Sequence, residues 1–197
     1  MMAKRRRFDR KSKNRAYRKV FFIVTEGSET EPQYFACFRD QVVPTIKIVD
    51  RRGDSAPERL LQAISRFVAK NEFRPGDEAW IVLDRDRWPE DKLRILAEWA
   101  GTAENHHLAV SNPQFEYWLL LHFDDGNGIV TQRECRTRLR RVLPTFEKSH
   151  IECDKFCPAV REAIQRAKRR DQPPCTDWPA TTGTTVYRLV ESMLDVE

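Results

Sequence analysis

At 197 residues, with 40% hydrophobic and 10% aromatic side chains, the chain is long enough and apolar enough for one substantial core. No apolar run approaches the roughly 18 to 20 residues of a membrane span, and no long apolar stretch follows the basic start, so neither a membrane anchor nor a signal peptide is expected and the simplest location is cytoplasmic. The net charge of +5 is unevenly divided: residues 1–19 hold ten Lys or Arg against one acid, and the rest of the chain holds 25 against 29.

The chain opens with that basic arm, which includes Arg5, Arg6, Arg7, Arg10, Lys11 and Arg15. A cationic arm on a mildly acidic body suits a polyanion, because each phosphate it neutralises releases counterions. A solvated tail that only promotes solubility is the alternative.

Strand and helix then alternate. "VFFIV" (20–24), "TIKIV" (45–49), "AWIVL" (79–83) and "HLAV" (107–110) are short, continuous apolar runs of the kind found in buried parallel strands. After the first run, "TEPQYFACF" predicts a helix with Thr30 as N-cap and Pro32 in the first turn. "PERLLQAISRFVAK" places Leu60, Leu61, Ile64, Phe67 and Val68 on one helical stripe, and "PEDKLRILAEWA" does the same with Leu93, Leu96, Ala97 and Ala100. "NPQFEYWLLLHF" reads as a helix apolar nearly all round, hence buried, with Glu116 and His122 on it. Four such repeats over about residues 20–125 argue for an α/β domain around a mainly parallel, four-stranded sheet.

Residues 126–197 read as a helical extension packed on that domain. "TQRECRTRLRRVL" and "PAVREAIQRAKRR" are amphipathic, with arginines including Arg136 and Arg140 forming a second basic surface, and "TTGTTVYRLVESML" predicts a helix starting near Thr184. The five cysteines, at 37, 135, 153, 157 and 175, are odd in number and lack paired spacing, which favours reduced thiols over a disulfide framework. Cys135, His150, Cys153 and Cys157 match no familiar zinc spacing.

Ligands of open parallel sheets bind beyond the carboxyl ends of the strands. There the first strand ends in "TEGSETE", with Glu26 and then Glu31, and the third ends in "DRD", with Asp84 and Asp86. Carboxylates so placed are the oxygen donors that Mg²⁺ or Mn²⁺ takes, completed by water and substrate phosphate. Each motif alone is unspecific, since an Asp-x-Asp after a strand is often a helix cap or a salt-bridged loop. A buried Glu116 must be paired, hydrogen-bonded or neutral: it either joins the acidic site as outer ligand or general base, or bonds to amides and a nearby arginine. His122 is expected to be structural.

In this order, Glu-Gly after the first strand and Asp-x-Asp after the third resemble the Toprim domain of topoisomerases, primases and OLD-type nucleases. More closely, "VTEGSETEPQYF" (24–35), "WIVLDRDRW" (80–88), "SNPQFEYWLLLHF" (111–123) and "TTVYRLVE" (184–191) resemble the RloB-like proteins, encoded near restriction–modification systems in prokaryotes. The resemblance implies a Toprim-like fold, Mg²⁺-dependent phosphodiester chemistry, a role in defence against phage and a partner ATPase encoded alongside. It matches Glu26, Asp84 and Asp86 to the Toprim acids and Glu31 to a second acid after the Glu-Gly turn. The lysine that many Toprim proteins carry after a later strand has no counterpart directly after "HLAV", where "SNPQFE" stands.

Two functions compete: a metal-dependent nuclease acting on RNA, tRNA included, or on DNA, and a non-catalytic nucleic-acid-binding subunit of a complex with the ATPase. A topoisomerase is not expected, as none of the four tyrosines stands out as a nucleophile. The sequence leaves the oligomeric state open.

Overall fold

The computed structural model describes residues 17–51, 53–85 and 88–195. Its centre is a five-stranded sheet in the order β2-β1-β3-β4-β5, built from β1 (Val20–Thr25), β2 (Thr45–Ile48), β3 (Glu78–Asp84), β4 (His106–Asn112) and β5 (Gly183–Thr184). The first four strands pair in parallel and β5 joins β4 antiparallel, with Ser111 opposite Thr184.

Period-two alternation divides the strand side chains between two cores. Phe22, Val24, Ala79, Ile81, Leu83, Leu108 and Val110 point to the face covered by α2 (Pro57–Lys70) and α3 (Glu90–Ala100). Phe21, Ile23, Trp80, Val82 and Ala109 point to the opposite face. That face is covered by α1 (Thr30–Ala36), α4 (Phe115–Leu120), α5 (Gln132–Val142), α6 (Cys153–Phe156), α7 (Val160–Arg170) and α8 (Val186–Leu194). Helices on both faces explain why the strands are apolar throughout rather than alternating with polar residues. Residues 126–195 share the core of the sheet domain, since Leu139, Ile164 and Leu189 pack in the same cluster as Phe21 and Trp118.

Four local expectations are corrected. Thr30 is the first residue of α1 rather than its cap, and its hydroxyl donates to Lys148 O at 3.0 Å. Residue Thr184 belongs to a strand, not a helix: its hydroxyl bonds the Ser111 hydroxyl at 2.9 Å, Thr185 N donates to Val110 O, and α8 begins two residues on. Helix α4 ends at Leu120, so His122 lies in the turn that follows it.

The fourth correction concerns the thiols: Cys37 and Cys153 form a disulfide, their Cα atoms 5.3 Å apart across 116 residues of chain. Linear spacing carries no information on a pair brought together only when α6 packs beside the end of α1. Cys135 is a buried free thiol, and no group of three or more His, Cys, Asp or Glu side chains suited to a metal occurs among the described residues.

Candidate active site at the carboxyl edge of the sheet

The strand order places β1 between β2 and β3, and the helices that follow β1 and β3 lie on opposite faces, so the sheet has its topological switch point between these two strands. Glu26 directly follows β1 and Asp84 ends β3. Both carboxylates therefore emerge in the crevice where an open α/β sheet binds its ligand.

Glu26 is tied across the two strands. Its amide donates to Val82 O at 2.8 Å, and its Oε2 accepts from Asp84 N at 2.9 Å. The chain turns at Gly27, whose amide donates to Glu31 Oε1 at 2.9 Å and draws the first turn of α1 back over the strand end. A Cβ at position 27 would overlap the Glu31 carboxylate, so the "EG" pair reflects a close approach that only glycine allows here.

Glu26, Glu29, Glu31, Asp84 and Glu116 line one recess of about 190 Å³. Glu26 and Glu31 are each 6% exposed and Glu116 is 3% exposed. Burial pushes the Glu31 carboxyl above its ordinary range; amide hydrogen bonds oppose that shift, and the charges of Glu116 and Glu26 add to it.

Among the described residues, Lys148 answers this charge: its ammonium ion-pairs with Glu116 Oε1. Of the two alternatives for Glu116, its place in the lining of the acidic recess agrees with the first, and its ion-pair partner is a lysine where the second named an arginine. Lys148 sits in the loop between α5 and α6, held on α1 by Thr30 through its carbonyl and by Gln33, which donates to Ser149 O and accepts from Ile151 N. Its side chain is 57% exposed and meets solvent at the mouth of the recess. Nothing in "PTFEKSHIE" marks this residue, because its role depends on a loop closing over 118 residues.

Arg85, between the two aspartates in sequence, turns away to Glu90 at 3.3 Å and does not neutralise the recess. Asp86 lies outside the described residues, as do Arg5, Arg6, Arg7, Arg10, Lys11 and Arg15. Among the cations expected on the second basic surface, Arg140 is exposed on α5, whereas Arg136 is half-buried and donates to Gln114 and Gln132 at 3.2 Å. Arg138 is engaged by Asp124, and Lys168 by Glu191, so part of that surface serves internal pairing.

The donor chemistry fits a hard divalent cation: among the described residues, carboxylate oxygens from two adjacent strand ends outnumber one flanking ammonium. The described residues supply part of a ligand set rather than a closed one.

Fold and site together define a Toprim-like α/β protein with an acidic recess at the switch point. Residues 21–193 match the family model of the RloB-like protein, and the chain belongs to that family. No curated protein and no solved structure matches it.

Proposed function

We propose that this RloB-like protein is a metal-dependent nuclease that hydrolyses phosphodiesters of RNA, tRNA included, or of DNA, in defence against phage. The reading is carried by one observation: carboxylates from the ends of β1 and β3 share a single recess with an ammonium group at its mouth. Glu26, Asp84 and Asp86 are the residues that would hold Mg²⁺ or Mn²⁺ there, and the ion when bound would supply Lewis-acid polarisation of the phosphate and acidify a water.

The chain's own groups do the remaining work. Glu26, fixed by the Asp84 amide, and Asp84 hold their oxygens toward the recess without loss of side-chain freedom at the moment of reaction. Glu31, braced by Gly27 N, confines the recess on the α1 side. Glu116 anchors Lys148, whose ammonium meets the charge developing on the phosphate or protonates the departing oxygen. No covalent protein nucleophile is needed.

The test is incubation of the purified protein with pooled tRNA, other RNA and DNA, with Mg²⁺, with Mn²⁺ and with EDTA, beside Asp84→Ala/Asp86→Ala. Metal-dependent cleavage that the double variant lacks supports the nuclease. Absence of cleavage in every arm, with the ATPase present as well, contradicts it and leaves a non-catalytic binding subunit.

A further inference from the structure

Two further recesses adjoin the acidic one. The first, of about 460 Å³, shares Gly27 and Ser28 with it and runs over the end of β2 to Asp50 and Arg51. The second, of about 420 Å³, begins at the same Asp50 and Arg51 and continues along α2 past Arg59, Arg66 and Lys70. The three depressions therefore form one continuous path from the Glu-Gly turn to the far end of α2.

Charge changes sign along that path. The distal recess is lined by four cations, Arg51, Arg59, Arg66 and Lys70, against two carboxylates, Asp50 and Asp54. On α2, residues 59, 62, 66 and 70 fall at i, i+3, i+7 and i+11, so one helix face presents Arg59, Gln62, Arg66 and Lys70 in a row. Eleven residues of helix span about 16 Å, enough for several phosphates of one strand. The row is held in place from beneath, where Phe67 packs against Phe22 at 5.4 Å between ring centroids.

The cations differ in commitment. Arg51 donates to Gly53 O at 2.7 Å and Arg59 to Gln62 at 3.1 Å, with Asp54 3.5 Å from Arg59. Arg66 and Lys70 are exposed and have no ion pair among the described residues. These contacts shape a cationic wall while leaving its outer half for an external anion.

We infer that this groove is a track for the sugar-phosphate backbone of the nucleic-acid strand whose scissile phosphate occupies the acidic recess, an inference that rests on the nuclease reading. A polynucleotide seated at Glu26 and Asp84 must leave the recess on some side. The side opened by Gly27 and Ser28 leads directly onto cations, whereas the recess itself is carboxylate-lined and repels unmetallated phosphate. Contacts of this kind position a strand without reading its sequence. The α2 face is thereby a nucleic-acid contact continuous with the acidic recess.

The experiment uses the full chain carrying Glu26→Gln, so that substrate survives, and measures binding of labelled single-stranded RNA and DNA against salt. Arg66→Ala/Lys70→Ala is compared with Arg94→Ala/Arg161→Ala, an equal charge change at exposed positions outside the groove. The groove variant is expected to bind about tenfold more weakly at about 0.1 M salt, with the slope of log affinity against log salt reduced by about 1.4. The control pair keeps the parental slope. Equal weakening by both pairs, or by neither, overturns the track. Failure of the two readings is separable: cleavage by the otherwise native chain that Arg66→Ala/Lys70→Ala leaves unchanged in both KM and kcat removes the track alone. Groove-dependent binding without cleavage of any substrate removes the nuclease and, with it, the track's role as a substrate path.

Discussion

Acidification should loosen the contact that positions two of the three buried carboxylates of the recess, Glu31 and Glu116, and His122 sets the magnitude. The ring is fully buried among Tyr34, Trp118, Phe123 and Phe156. Trp118 O, which can only accept, lies 3.1 Å from Nδ1, and the Tyr34 hydroxyl lies 3.1 Å from Nε2. The proton is thereby assigned to Nδ1, and Nε2 accepts from tyrosine, leaving the imidazole satisfied as a neutral group. Burial pushes its pKa from 6.5 down to about 3, and the nearby Arg166 works in the same direction. Because the folded value is depressed for a base, the stability is complete above pH 6.5 and is lost as pH falls from there toward 3. At pH 5.0 the cost of keeping the ring neutral is about 2 kcal/mol, against about 0.1 kcal/mol at pH 7.5. Tyr34 belongs to α1, which carries Glu31, and His122 follows α4, which carries Glu116, so the loss falls on the seam beside the site. Urea unfolding of the wild type and His122→Gln at both pH values isolates the effect. The wild type should lose about 2 kcal/mol more than the variant between pH 7.5 and 5.0, and the His122 resonance should stay neutral throughout. Equal losses, or a ring that protonates in the folded protein above pH 5, would refute the reasoning.

Gly27→Ala forces the Glu31 carboxylate out of its place and breaks the bond from Gly27 N; a loss of about 2 kcal/mol is expected by denaturant titration, with weaker Mn²⁺ binding by electron paramagnetic resonance. Lys148→Ala leaves the buried Glu116 carboxylate without its ion-pair partner and should cost about 3 kcal/mol by denaturant titration, and it should reduce cleavage by at least about a hundredfold in single-turnover assays. Joint Cys37→Ser/Cys153→Ser replacement removes a link across 116 residues and should lower stability by about 2 to 4 kcal/mol, read as a fall in the urea midpoint.

What could be read from the chain follows from how local each signal is. The runs at 20–24, 45–49, 79–83 and 107–110 are apolar because both faces of the sheet are covered, and that pattern is local enough to place four strands. Glu26, Asp84, Glu31 and Glu116 were also legible, the first two because strand ends at a switch point are where ligands bind. Strand β5 was not: two residues carry no period, and Thr184 is fixed by Ser111 on a strand 73 residues earlier. Lys148 and the Cys37–Cys153 link were hidden for the same reason, since each depends on a long loop folding back onto α1. The cationic row on α2 was visible only as the polar side of an amphipathic helix, and acquires meaning from the recess at its end.

The most direct test of the acidic recess is the anomalous diffraction of Mn²⁺-soaked crystals. The account predicts a peak at about 2.1 Å from oxygens of Glu26 and Asp84, with Asp86 completing the carboxylate set, and loss of that peak in Glu26→Gln. A recess without manganese, or manganese bound only elsewhere on the chain, would contradict it.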